Sequence, residues 1–260
     1  FPKVIDKYKP DIVVFSLMGK YEGIPSKKCF ELLKAKKIKS CIQWPDVGYS
    51  DSGWGYPQIL EYGDLIDLNV GWDNASSEFH NSRVNPENFK QMFVPQDPKL
   101  YYPIADQNIG CSFVGSINNQ ERQTYLNHAV NVNKLPIAVR GGQRHEKLSS
   151  DQYAQLIRRS KMTINFPWCN GNFDQIKGRV YEALACKTLL LERKNDATSR
   201  LFKPNYDYVE YTTLDDFVDK IKHYMSHETE ANKIASQGNK TFNEKFTSRH
   251  FWNTILDKLK

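Results

Sequence analysis

No run of apolar residues in this 260-residue chain approaches the roughly 20 needed for a membrane-spanning helix. No secretory leader pattern opens it either. A transmembrane protein is therefore not the reading, although peripheral contact with a membrane stays open. The chain begins at Phe1 rather than Met, and an upstream segment is expected. Cysteine is sparse: 29, 41, 111, 169 and 186 form no C-x-x-C pair. That excludes a disulfide framework and a zinc ribbon, and it favours a reducing, cytoplasmic setting. His145 precedes Glu146 without the second His that a zinc helix requires, so it reads as a surface side chain. There is no G-x-x-x-x-G-K loop, no G-x-G-x-x-G and no Ser/His/Asp-type elbow. Repeats and low-complexity segments are also missing. The net charge is +6, but the lysines are scattered and no basic tract is interleaved with aromatics. Nucleic acid is not the expected partner. A modest positive balance suits a protein that handles diphosphates.

What is present is an alternation of strands and helices. Forty per cent hydrophobic and 25% charged residues are ordinary for a globular chain with room for two modest domains. Pro10-Asp11 leads into Ile12–Leu17, a buried parallel strand by its unbroken apolar run. A helix over Ser26–Lys37 and strands at Ser40–Gln43 and Leu65–Val70 follow. Pro95, Pro98 and Pro103 then block any continuous helix, which places a domain joint near residue 105. Beyond it come strands at Cys111–Gly115, Pro136–Arg140, Met162–Phe166, up to Leu191, and Tyr208–Tyr211. The helices between them run from about Asn119 to Val132 and from a capped start at Ser149-Ser-Asp-Gln. The closing helices cover Leu214–Met225, Glu228–Phe246 and Ser248–Leu259. The expected division is an α/β domain at 1–105, a second at 106–246, and a last helix at 247–260 that crosses back to the first.

The chain is organised around Asn170–Leu191, a Gly/Asn loop, a short helix and an apolar strand. Asp174 is the expected helix cap. Ile176, Val180, Ala183 and Leu184 make one apolar stripe, which leaves Arg179, Glu182 and Cys186 on a different face. A helix start with unpaired amides and two cations, Lys177 and Arg179, is a place for a diphosphate. Glu182, one turn on, is an acceptor for ribose hydroxyls. The bland alternative is an Arg179–Glu182 surface pair worth a few tenths of a kcal/mol.

The segment DQIKGRVYEALACKTLLL resembles the group 1 glycosyltransferase domain, whose pattern is an acidic residue, seven residues, then Glu-Ala-(Leu/Met)-Ala-Cys-Gly. The resemblance runs from Phe113-Val-Gly-Ser116 through Ser160–Phe166 to about Lys245. Two positions depart from the pattern: Asp174 stands for Glu, and Lys187 for Gly. The resemblance implies a GT-B fold, two Rossmann-like α/β domains facing across a cleft, with an amino-terminal layer lacking its opening strand–helix units. It implies transfer of a sugar from a nucleoside diphosphate sugar to a glycan or glycoconjugate acceptor, with retention and with neither metal nor cofactor. Asp174, Lys177 and Arg179 are then the catalytic candidates. Gly115, Ser116, Arg122, Arg140, Gln175, Gly178 and Glu182 are the donor-side candidates. Trp44, Asp46, Trp54 and Trp72, at predicted loop ends of the first domain, are acceptor-side candidates, although loop or core anchoring is the commoner role of such tryptophans. Gly115-Ser116 with Arg122 reads equally as a plain turn and a solvated cation. A sugar-nucleotide epimerase and a non-catalytic nucleotide- or sugar-binding module are the competing functions.

Overall fold

The computed structural model describes residues 1–16, 25–44, 61–72, 85–117, 119–141, 148–167 and 174–260. The chain divides into two compact units, one gathering Phe1–Phe93 with Arg249–Lys260 and the other Val94–Cys169 with Asp174–Ser248. Pro95, Pro98 and Pro103 thus belong to the second unit.

In the first unit, α1 (Pro2–Tyr8), β1 (Ile12–Ser16), α2 (Lys27–Ala35), β2 (Lys39–Trp44), β3 (Leu68–Gly71) and β4 (Phe89–Gln91) follow in chain order. The strands pair in parallel in the order β1-β2-β3-β4. Alternation along β2 sends Ile42 and Cys41 to opposite faces of the sheet. Ile42 packs with Ile5, Phe30, Leu33, Trp44, Tyr62 and Ile66. Cys41 packs with Leu68, Val70 and Met92 against the closing helix of the chain. The apolar periodicity did not point to β4, a three-residue strand in which Phe89 alone is buried.

The second unit carries β5 (Ile109–Val114), α3 (Gln120–Asn127), β6 (Ile137–Arg140), α4 (Ser150–Arg159), β7 (Ser160–Asn165), α5 (Gly178–Ala185), β8 (Leu189–Arg193), α6 (Asp196–Ser199), β9 (Val209–Tyr211), α7 (Leu214–Ser226) and α8 (Glu228–Lys245). After it, α9 (Ser248–Leu259) returns to the first unit, where Phe251, Ile255 and Leu259, one stripe at i, i+4 and i+8, enter the core beside Cys41. The second sheet is parallel throughout, in the order β6-β5-β7-β8-β9. Its central strands are largely buried on both faces, and β8 carries the unbroken apolar run Leu189–Leu191. Local signals agree with the sequence: Ser149 and Gln152 close a capping box on α4, and Asn119 caps α3 by accepting from the Arg122 amide at 3.2 Å. Cys29, Cys41, Cys111 and Cys186 are free thiols, and Cys169 lies outside the described residues.

Helix α5 departs from its sequence reading. It starts at Gly178, with Lys177 at the cap position and no side-chain cap, so Asp174 is not its cap and Ile176 precedes it. Nor does it have a polar face. Arg179, Val180, Tyr181, Ala183, Leu184 and Ala185 are all buried, because sheet lies on one side and α4 and α8 on others. Its end is a Schellman closure: Thr188 N–H donates to Ala183 C=O at 3.0 Å and Lys187 N–H to Leu184 C=O at 3.2 Å. Lys187 is left-handed there, with φ 56°, in the place where the group 1 pattern has Gly. Asn239 of α8 completes the cap, its amide donating to the Leu184 and Ala185 carbonyls at 2.7 and 3.1 Å. Lys187→Gly is therefore expected to raise stability by about 0.5–1 kcal/mol, because Gly carries no Cβ penalty in this region. A fall in urea midpoint would refute it.

Gly238 lies inside α8, where Gly ordinarily costs about 1 kcal/mol relative to Ala. A Cβ at this position would strike the Asp207 carbonyl and the Leu184 side chain. Gly238→Ala should thus destabilise by about 1–3 kcal/mol despite its better helix propensity. Thermal melting checks the sign, and a stabilised variant would show that the two backbones do not meet.

The carboxyl edge of the second sheet as candidate functional site

Strands β5, β7 and β8 are neighbours and end together, and in a parallel sheet that edge is where ligands gather. Each strand changes from apolar to polar there: Val114 gives way to Gly115, Ile164 to Asn165, and Leu191 to Glu192 and Arg193. Gly115 has φ 143° and its neighbour Gly141, at the end of β6, φ 78°. The Gly115 amide donates to the Arg140 carbonyl at 3.0 Å. A Cβ on Gly115 would fall on the Arg179 guanidinium, so glycine leaves the space that the cation occupies.

Arg179 enters this space from the first turn of α5. Its Nη1 donates to Asn165 Oδ1 at 2.6 Å and its Nη2 to the Val114 carbonyl. The guanidinium carbon lies 5.1 Å from the centroid of the Phe113 ring. Nε is buried and has no hydrogen-bond partner. Arg122 approaches from α3 with Nη1 donating to the Ser116 carbonyl at 2.8 Å, and its Nε is likewise buried and unpartnered. Burial and the charge of Arg179 hold the Arg122 guanidinium below its ordinary pKa. The arginine ion pairs among the described residues belong to Arg158 and Arg193. The two cations therefore feel each other's charge and donate to neutral acceptors, with no ion pair to either among the described residues.

Carboxylates lie around this pair, each engaged elsewhere. Arg193 holds Glu121 at 2.9 Å and Asp174 at 2.5 Å. Glu182 accepts from Tyr153 Oη at 2.8 Å and from Tyr101. Burial raises the Glu182 pKa, with Arg179 opposing the shift. Glu192 is fully buried, and desolvation pushes its carboxyl up to about 7 although Asn165, Thr198 and Asn195 donate to it and Arg179 lies nearby.

The structure thus brings Gly115, Ser116, Arg122, Gly178, Arg179 and Glu182 to one edge. Lys177 follows at the start of α5, with Nζ on Gln175 Oε1 at 2.5 Å, and Gln175 is itself buried. Arg140 is exposed at the end of β6, its Nη1 donating to Val139 C=O at 2.9 Å. Two readings need correction, the surface-pair alternative and one acceptor-side candidate. Arg179 and Glu182 do not form a surface i,i+3 pair, since Arg179 turns under Gly115 and Glu182 toward Tyr153. Trp44 is wholly buried and donates to Asn69 Oδ1 at 2.9 Å, so it is a core anchor and no acceptor platform. Trp72 packs on the core beside Leu68 and Phe251, and Asp46 and Trp54 lie outside the described residues. Asn165, Glu192, Arg193, Tyr101 and Tyr153 were not anticipated. For the first three a signal existed: a polar residue ending an apolar run marks the carboxyl end of a buried parallel strand.

Two α/β units with parallel sheets are the architecture of the GT-B fold. The Glycosyl transferase-like family matches residues 111–257, and the chain belongs to it, as a group 1 glycosyltransferase domain. No curated protein matches the sequence. Among solved structures, Anabaena Alr3699/HepE in complex with UDP is similar at TM-score 0.65 and 11% identity, over 99% of this chain and 81% of that one. A mutant of S. aureus TarM, in complex with Fondaparinux, alpha-GlcNAc-glycerol and UDP, gives 0.65 and 13% over 99% and 58%. Sucrose-phosphate synthase from Thermosynechococcus elongatus gives 0.64 and 10% over 99% and 75%. At such identities the likeness is one of fold. No helix among the described residues is long and apolar enough to cross a membrane.

Glu192 yields a pH signature. Its pKa is higher in the folded chain than the ordinary 4.5, so the native state holds the proton more tightly than the unfolded state. Stability contributed by this group is present below about pH 4.5 and is lost as pH rises through about 7. Wild type should therefore lose melting temperature relative to Glu192→Gln between about pH 5 and 8. A difference that stays constant with pH would show that Glu192 does not titrate there.

Proposed function

We propose that the chain transfers a sugar from a nucleoside diphosphate sugar to a hydroxyl of a glycan or glycoconjugate acceptor, with no metal ion and with retention at the anomeric carbon. The observation that carries the proposal is the pair of cations, Arg122 and Arg179, at the end of β5 without a carboxylate partner among the described residues. Arg179 lowers the Arg122 pKa through like-charge repulsion, and a diphosphate relieves that repulsion while taking strong charge-assisted hydrogen bonds. The uncapped start of α5 adds amides and the positive end of a helix dipole. Glu182, held by Tyr153 and Tyr101, is the ribose acceptor. Asp174 and the neighbouring amides orient the sugar, with Arg193 fixing Asp174. UDP complexes of HepE and TarM support a uridine nucleotide as the first candidate.

In the reaction, the bond from the anomeric carbon to the diphosphate oxygen breaks and its electron pair stays with the diphosphate. The acceptor oxygen bonds to the anomeric carbon, and its proton passes to the departing phosphate oxygen on the same face. Arg122, Arg179 and Lys177 meet the charge that grows on the leaving group, the task a metal ion performs elsewhere.

A thermal-shift panel of UDP, GDP, ADP and dTDP should single out one diphosphate. Arg122→Ala and Lys177→Ala should each weaken it by about tenfold or more while leaving the matching nucleoside unchanged, as the loss of one charge-assisted hydrogen bond implies. Equal losses for nucleotide and nucleoside would mean that these cations only support the fold. Binding without transfer to any acceptor, or donor epimerisation alone, would overturn the transferase reading.

A further inference from the structure

We propose that Asn165 and Glu192 are a positioning pair for Arg179, fixing its guanidinium through a neutral amide so that its full charge remains available to a diphosphate. The proposal rests on the reading of this edge as the diphosphate site. A guanidinium only donates, so the Asn165 atom that meets Arg179 Nη1 at 2.6 Å is the amide oxygen. The amide NH2 then faces Glu192 and donates to Oε2 at 2.7 Å. On its other oxygen Glu192 receives Asn195 Nδ2 at 3.1 Å and Thr198 Oγ1 at 3.4 Å. Asn165, Glu192 and Thr198 are wholly buried and Asn195 nearly so.

Every group around Glu192 donates to it. The carboxylate thus fixes which way the Asn165 amide points, and the amide fixes the guanidinium. When Glu192 is ionised, its negative charge stays one side chain behind Arg179. A carboxylate at position 165 would hold the guanidinium as firmly, but as an ion pair it would cancel the charge that a diphosphate needs. Arg193, next to Glu192 in sequence, does not compete for it, because Glu121 and Asp174 already engage Arg193.

The test moves the charge without changing the hydrogen-bond chain. In the double variant Asn165→Asp/Glu192→Gln, the carboxylate receives Arg179 and the new glutamine amide donates to it. UDP, inorganic pyrophosphate and uridine are titrated calorimetrically, with melting temperature as the fold control. The double variant should melt close to wild type, bind UDP and pyrophosphate about tenfold or more weaker, and bind uridine unchanged. A folded double variant that retains wild-type affinity for UDP and pyrophosphate would overturn the proposal. Should it not fold, Glu192→Met, which strips Asn165 of its orienting acceptor, should show the same selective loss, and Glu192→Gln should restore binding. Retained UDP affinity in Glu192→Met would equally overturn it. The two readings separate through Arg122→Ala. If that change leaves the UDP to uridine ratio untouched, the diphosphate reading falls. If it lowers the ratio while the charge swap does not, only the positioning pair falls.

Discussion

The buried Arg179 guanidinium is the constraint on which the rest of the second unit depends. A cation in a protein interior needs partners for its charge and its donors, and here the Val114 carbonyl and the Asn165 amide supply them. That requirement reaches outward through the fold. Gly115 has to lack a side chain, Asn165 has to present its oxygen, and β5 and β7 have to end at the same level. It also explains how α5 can be buried around most of its circumference although its first turn carries an arginine.

A second layer of charge supports the first. Glu121, Asp174 and Arg193 form a triad across α3, β8 and the approach to α5. Glu192 stands behind Asn165, and Tyr153 and Tyr101 hold Glu182. The edge is thus rich in both signs, yet the carboxylates are tied to other partners, while among the described residues Arg122 and Arg179 hydrogen-bond to neutral oxygens. An anion site is defined by this imbalance more than by the count of cations, since scattered surface lysines give the same net charge without any pocket.

Much of the architecture was legible in the residues. Apolar runs named β1 and β8, Ser149 and Gln152 announced α4 through their capping box, and Ser248–Leu259 appeared at its observed bounds. Where the reading failed, local pattern was outweighed by tertiary packing. Asp174 looked like a cap because a carboxylate before a helix usually is one, but α5 starts only at Gly178 with Lys177 in the cap position, and Asp174 pairs with Arg193 instead. Trp44 stood among the acceptor-side candidates because it ends a strand, and Asn69 with an apolar shell makes it the core anchor that was the commoner alternative. β4 was too short for periodicity to register.

The sequence by itself determined the fold class, the family and the neighbourhood of the site, because each depends on signals that repeat along the chain: apolar period, turn residues and the acidic-x7-Glu spacing. Only the tertiary structure decided what each polar residue does. Arg179, Asn165 and Glu192 lie 14 and 27 positions apart in sequence along their two hydrogen bonds, and no local rule links positions so distant. Which charge is neutralised and which is left for a ligand depends on donors and acceptors within about 3 Å of one another. Distances of that kind arise only once β5, β7 and β8 are side by side.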